Sequence, residues 1–246
     1  MHILLTNDDG IASPGLRLLS EIAVGMGHVV HVVAPKRDWS GQSQSISLSG
    51  VIHAEPAWGW EPATAWAVDG SPADCVRIAR ALIGVRPDVV ISGINLGSNL
   101  GNSVYRSATI GAAREAALVG WPALALSGTL PLPTRSAVER HLPDALSLAL
   151  EEVGAVVNVN WPDGPSLTWV MAEPAWGALT EAAVAHAPNG TGRVTVTMER
   201  TMSRPRPHDA TDIAAVAAGL VSVSILPVAP PAYLPSRRPA DIRAEG

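Results

Sequence analysis

Two carboxylates stand side by side at the end of an apolar run. The stretch "ILLTNDDG", residues 3–10, places Asp8 and Asp9 directly after Ile3-Leu4-Leu5-Thr6-Asn7. Adjacent carboxylates repel, and both resist ionisation unless a cation lies between them. A hard divalent cation resolves the repulsion, with hydroxyl and amide oxygens from other loops completing its shell; Mg2+ and Mn2+ fit, and Ca2+ also. The competing reading is a solvated turn, since Asp9-Gly10 is ordinary turn chemistry. Zinc fits less well. The single cysteine, Cys75, excludes an intramolecular disulfide and a Cys-based zinc site, and the histidines show no paired spacing.

A second group of candidates lies in "GINLGSNLGNSVYRSATIG", residues 93–111. Gly93, Gly97 and Gly101 recur at steps of four and let the backbone approach a ligand closely. Asn95 between them is able to coordinate or to donate. The pattern fits neither a Walker A loop nor the G-x-G-x-x-G fingerprint, so an NTPase or a Rossmann dehydrogenase is not supported. Ser107 and Thr109 open an Ala-rich helical stretch, where free N–H groups and the helix dipole favour an anion. Plain helix capping is the alternative for Ser107. Arg106 either adds a phosphate contact or points to solvent. A cation at one strand end beside an anion seat suits phosphate-ester chemistry.

The elements that position these residues alternate. "HILLT", "HVVHVVAP", "PDVVISG", "PALALSG" and "AVVNVNWP" read as buried strands, and "LRLLSEIAVGMG", "SPADCVRIARALIG", "SATIGAAREAALVG" and "RSAVERHLPDALSLALEEVG" read as helices between them. This order predicts an α/β fold with a mostly parallel sheet and helices on both faces. Ligands of such sheets bind beyond the carboxyl ends of the strands, where the loops of Asp8, Ser40 and Asn95 would converge. "SISLSGVIHAE" alternates and predicts an antiparallel strand or hairpin arm. From Pro162 to about Pro207 the pattern turns β-rich, with an Asn189-Gly190 turn and "RVTVTMER". "TDIAAVAAG" predicts a short helix capped by Thr211 and "LVSVSILPV" a last strand, followed by a Pro-rich tail over 228–246. His28, His31 and His53 are expected at the surface or a sheet edge and Cys75 in the core. Trp58 and Trp60 either line a base pocket or cover the sheet edge. His208, Asp209 and Asp212 are placed to approach the site, with capping by Thr211 preferred.

The totals set limits. The chain has 246 residues, 47% of them hydrophobic, and a net charge of −5, which argues against a nucleic-acid groove. No uncharged apolar stretch reaches the roughly 18 residues a membrane span needs. The expected setting is cytoplasmic.

Taken together, "ILLTNDDGI" with Pro14-Gly15, "VVAPKRDWSGQSQSISL", "DGSPADCV", "PDVVISGINLGSNLG", "SATIGAAREAA" and "TDIAAVAAGLVSVSILP" resemble the SurE (survival protein E) family of metal-dependent nucleotidases. They occur in the family's order and cover most of 1–130 and 211–227. The resemblance implies a SurE-like fold with a Rossmann-like three-layer core over 1–162 and 211–227; residues 163–207 match the family poorly, and the β-rich excursion over 163–210 is expected as a hairpin used for packing or oligomer contacts. It also implies hydrolysis of nucleoside monophosphates, and a homodimer or tetramer with C-terminal exchange. It carries the metal ligands to Asp8, Asp9, Ser40 and Asn95, and the phosphate seat to Asn95, Ser107 and Thr109, with Asp8, Asp9 and Asn95 catalytic. Trp39 stands where the family often has Arg, Ala108 where it usually has Gly, and Arg106 where an aromatic is common. Two other functions stay open: a phosphatase for a non-nucleotide phosphorylated metabolite, and a non-catalytic metal- or nucleotide-binding subunit. Direct attack by water is expected, with an aspartyl-phosphate route at Asp8 as its competitor.

Overall fold

The computed structural model describes residues 1–228 apart from 130, 167, 177–178, 187–193 and 203–209. The Asn189-Gly190 turn, His208, Asp209 and the tail from residue 229 onward lie outside the described residues.

The chain begins with β1 (His2–Thr6), α1 (Pro14–Gly25) and β2 (Val29–Pro35), followed by the short β3 (Ala54–Pro56) and β4 (Thr64–Val68). Then come α2 (Pro72–Ile83), β5 (Val89–Leu96), a 3-10 turn over Gly101–Tyr105, α3 (Ala108–Leu118), β6 (Ala123–Gly128), α4 (Arg135–Glu151) and β7 (Ala155–Trp161). The last part holds β8 (Trp169–Met171), β9 (Leu179–Ala185), β10 (Val196–Met202), α5 (Asp212–Ala217) and β11 (Val221–Pro227). One sheet runs β3-β4-β2-β1-β5-β6-β7-β11-β8, and β9 and β10 form a separate antiparallel hairpin. From β4 through β7 every neighbouring pair is parallel; β3 and β11 enter antiparallel. The expected three-layer α/β fold is therefore present, and β8 from the excursion joins the main sheet beside β11.

Two apolar layers enclose the sheet. Ile3 and Leu5 face Leu16 and Leu19 of α1 and Val138 and Leu142 of α4. Leu4 faces the other way, toward Cys75 and Val76 of α2 and Ile110 and Ala113 of α3. Burial on both faces is what makes β1 an unbroken apolar run, each large side chain contributing about 1.5–3 kcal/mol. Gly15 sets how closely α1 can lie on β5: a methyl there would sit 2.0 Å from the Ile94 carbonyl oxygen. Small residues on α3, Ala112, Ala113 and Ala116, serve the opposite face in the same way.

Two elements differ from expectation. Residues 45–53 are not a strand, and β4, within "ATAWAV", is an additional parallel one. The segment before β3 is a strap bound to α2 by side chains. Ser71 Oγ donates to the Ser45 carbonyl at 2.6 Å, and the Ser47 N–H and hydroxyl donate to Asp74 at 2.9 and 2.8 Å. Asp74 and Ser71 also close a capping box at the start of α2. The alternating serines thus satisfy a helix cap rather than a pleat.

β1 pairs with β2 on one side and with β5 on the other. This is the reversal point of the strand order, where an open α/β sheet forms a crevice at its carboxyl edge. The residues that follow β1 and β5 flank that crevice.

Candidate active site

Asp8 follows β1 at the reversal point and is 3% exposed. Its Oδ1 accepts a hydrogen bond from the Thr109 hydroxyl at 2.6 Å, and its carbonyl accepts one from the Trp39 N–H at 2.8 Å. Burial pushes its pKa up to about 6; the Thr109 bond opposes that shift, and the charges of Asp9 and Asp38 add to it. Asp9 is less buried. Its Oδ2 faces the Leu96 N–H at 3.4 Å, and its pKa is raised by burial first and by Asp38. The turn that presents both is folded by Asn7, whose Nδ2 donates to the Gly10 carbonyl at 2.9 Å. Gly10 adopts φ +96, a left-handed conformation that a side chain rarely tolerates, and its neighbour Ile11 bonds back to the Pro35 carbonyl.

The other loops close around this turn. Ser43 donates from N and Oγ to the carbonyls of Arg106 and Tyr105, at 3.0 and 2.7 Å, joining the Ser40 loop to the segment before α3. A methyl on Gly111 would approach the Ser43 carbonyl to 2.6 Å, so α3 lies directly on that loop. The result is an open cleft of about 200 Å3 lined by Asp8, Ser40, Asn95, Ser103, Arg106 and Ser107 together with Gly41 and residues 96–99. Asn95 Nδ2 donates to the Gly97 carbonyl at 2.6 Å, which turns the amide oxygen to its other side. Ser107 caps α3: its oxygen accepts the Ile110 N–H at 3.1 Å, leaving its own O–H to donate. The first turn of α3 also has N–H groups, those of Ala108 and Thr109, with no intrahelical acceptor.

Two candidate residues stand outside the lining. Asp9 sits at the shoulder, on the β5 side. Thr109 is fully buried behind Asp8, so its hydroxyl orients that carboxylate rather than the cleft. Ala108 is also fully buried and absent from the lining, so its methyl does not crowd the cleft. Arg106 is exposed and lines the cleft.

The donor set fits a hard divalent cation. It offers two carboxylates, a hydroxyl and an amide oxygen, and burial beside a second carboxylate makes negative charge at Asp8 costly, a cost that a bound cation removes. No group of three His, Cys, Asp or Glu suited to a metal occurs among the described residues. A site here would therefore combine carboxylate, hydroxyl and amide oxygens, the chemistry that favours Mg2+ and Mn2+ over zinc.

Several supporting residues carry no local motif. Asn99 donates to Ser127 Oγ at 2.8 Å and to Thr109 Oγ1 at 3.4 Å, and its N–H donates to Asn160 Oδ1 at 2.7 Å. Asn158 and Asn160 return bonds to the Asn99 carbonyl at 3.0 and 3.2 Å. A buried polar chain therefore runs from Asp8 through Thr109 and Asn99 to β7. Asp212, fully buried, accepts N–H bonds from Gly101, Ala175 and Ile213 at 2.7, 2.9 and 2.8 Å. It ties the end of the Asn95 loop to the C-terminal part of the fold, while Thr211 caps α5. Neither Trp58 nor Trp60 lines the cleft. Trp58 is exposed; Trp60 is buried, with the Arg17 guanidinium 3.7 Å above its ring. His31, expected at the surface or a sheet edge, is buried on an interior strand, because β4 covers β2 and Thr64 bonds its ring at 2.8 Å. Cys75 is buried on α2, and burial pushes its thiol pKa far up.

Comparison with known proteins decides the family. The family model described as Survival protein SurE matches residues 3–184. The chain belongs to the SurE family. Among its relatives, the 5'-nucleotidase SurE of Methylocella silvestris is 36% identical over 240 residues, covering 92% of this chain and 93% of that protein. The 5'/3'-nucleotidase SurE of Edwardsiella ictaluri is 38% identical over 237 residues, covering 93% and 90%. The crystal structure of the SurE protein from Aquifex aeolicus superposes with a TM-score of 0.78 at 28% identity, over 93% of this chain and 94% of that one. Among the described residues, no helix is long and apolar enough to cross a membrane.

Proposed function

We propose that this SurE-family chain is a divalent-metal-dependent phosphomonoesterase that hydrolyses nucleoside monophosphates to nucleoside and phosphate. The observation that carries the reading is the shared cleft. A buried, charge-strained carboxylate at Asp8, the oxygens of Ser40 and Asn95, and the capped start of α3 at Ser107 all line one space. The relatives named as 5'- and 5'/3'-nucleotidases support the substrate class.

Asp8, Asp9, Ser40 and Asn95 would hold the cation. When bound, it supplies Lewis-acid polarisation of a phosphoryl oxygen and a water of lowered pKa. The chain's own residues do the rest. Thr109 fixes the Asp8 carboxylate through its 2.6 Å bond and keeps it from rising further in pKa. Asp9, the more accessible carboxylate, orients the attacking water and accepts its proton. The water oxygen bonds to phosphorus as the ester oxygen leaves with its electron pair; solvent water protonates that oxygen to the nucleoside hydroxyl, and Asp9 returns the proton it accepted to solvent. The Ser107 O–H, the first N–H groups of α3 and Arg106 meet the charge that develops on the equatorial oxygens; removing one such donor typically lowers the rate about 10²–10³-fold. The self-associating assembly belongs to this reading as well. The β9–β10 hairpin exposes Val184, Val196 and Met198, which supports its use in contacts between copies.

Phosphate release from a panel of nucleoside monophosphates and sugar phosphates, with and without chelator, tests the reading. Preferred turnover of nucleotides that chelator abolishes is expected. Preferred turnover of sugar phosphates overturns the substrate class.

A further inference from the structure

The Ser40 hydroxyl can present a lone pair to a cation only if its proton is directed elsewhere. Asp38 directs it. Asp38 Oδ1 accepts both the Ser40 hydroxyl, at 2.6 Å, and the Ser40 N–H, at 2.7 Å. One carboxylate oxygen thus closes a turn around Ser40 and accepts the hydrogen bond of its hydroxyl, in the geometry of an Asx turn. The turn is anchored from its middle residue, because the Trp39 N–H donates to the Asp8 carbonyl at 2.8 Å. Ser40 lines the cleft, and Asp38 is not part of the lining.

We infer that Asp38 is a positioning residue of the cation site: it holds the Ser40 rotor so that the oxygen's lone pairs, and not its proton, face the cleft. A freely rotating serine would have to be ordered when the cation binds. Here that ordering exists beforehand, and outer partners of metal ligands typically account for about 10–100-fold in metal affinity. The inference rests on the cation site proposed above and adds the residue that orients one of its neutral ligands. Asp38 is exposed, so the field by which it also raises the Asp8 and Asp9 pKa values is weakened by solvent, and its hydrogen bond to Ser40 is the larger contribution.

The test is a double-mutant cycle on manganese binding to the full chain, measured by titration calorimetry at 0.15 M salt, where the Debye length is about 8 Å. Asp38→Ala is expected to weaken binding about 10-fold or more, and Asp38→Asn, which keeps the acceptor oxygen, to stay within about 3-fold of the parent protein. In the Ser40→Ala background, Asp38→Ala is expected to add little, because the hydroxyl it orients is gone. Equal losses from Asp38→Ala in the parent and Ser40→Ala backgrounds would overturn the inference, as would unchanged affinity in Asp38→Ala. If the parent chain itself binds no manganese, the cation site fails and the inference fails with it. That outcome is distinct from a parent that binds and an Asp38 variant that binds equally well.

Discussion

Replacing Asp8 by asparagine should stabilise the metal-free protein while removing its affinity for divalent cations. Asp8 has an ordinary carboxylate pKa of 3.8 when unfolded and about 6 in the fold. Two units correspond to about 3 kcal/mol, at 1.36 kcal/mol each. The sign follows from which state holds the proton. Between pH 4 and 6 the folded state keeps a proton that the unfolded chain has lost, so stability falls as pH rises through that window and the full cost is present above it. Asparagine avoids this cost and still accepts the Thr109 hydroxyl. Its new N–H2 group needs a partner of its own, which takes back about 1 kcal/mol. A net gain of about 2 kcal/mol raises the melting temperature of a chain this size by roughly 4–8 °C. The assay is thermal unfolding in chelator at pH 7.5 and again near pH 4, where the difference should shrink. Adding manganese should then stabilise the parent by about 2.7 kcal/mol at 100 times the dissociation constant, raising its melting point, and leave the variant unmoved. A variant no more stable than the parent at pH 7.5, or a gain that persists unchanged near pH 4, would refute the argument that Asp8 is charged at a cost only a cation offsets.

Other expectations follow from single contacts. Thr109→Val removes the bond that lowers the Asp8 pKa, so the pH at half-maximal cation binding should move upward; an unchanged midpoint would contradict that role. Asp74→Ala breaks the capping box and the strap. In Asp74, burial works to raise the pKa, but the bonds from Ser47 and Ser71 outweigh it and hold the pKa below the usual range. Its stabilisation is therefore present above the unfolded pKa and lost as pH falls; the substitution should cost about 2–4 kcal/mol and open residues 43–50 to limited proteolysis. Gly15→Ala should reduce soluble protein sharply, because the methyl meets the Ile94 carbonyl at 2.0 Å; a loss under about 1 kcal/mol in thermal unfolding would show that α1 shifts freely. Ala108→Gly should leave turnover within about 2-fold and lower stability by up to about 1 kcal/mol, since the buried methyl does not reach the cleft. A large rise in turnover would show that it does.

The central architecture was legible because its signals are local. β1 is a two-sided apolar run, α2 has Ser71, Pro72 and Gly84 in capping positions, and α3 starts at Ser107. Asp8 and Asp9 stood out because adjacent carboxylates at a strand end need a reason. What was not legible depends on partners distant in sequence. Ser45 and Ser47 alternate like a strand, yet their bonds go to α2. Asn158 and Asn160 gain their meaning from the Asn99 backbone some 60 positions earlier, and Asp212 from the Gly101 N–H, 111 positions away. Thr109 read as a helix-start donor for an anion; its place behind Asp8 depends on the packing of α3 against β5 and β6, which no spacing reveals.

The central claim is that one cleft brings a cation and an oxyanion into contact. A crystal structure with manganese and inorganic phosphate, using anomalous scattering to locate the metal, tests it most directly. The account predicts manganese on Asp8, Asp9, Ser40 and Asn95, sharing an oxygen with a phosphate seated at Ser107 and the first turn of α3. Manganese elsewhere, or a phosphate too far from it to share an oxygen, would contradict the account.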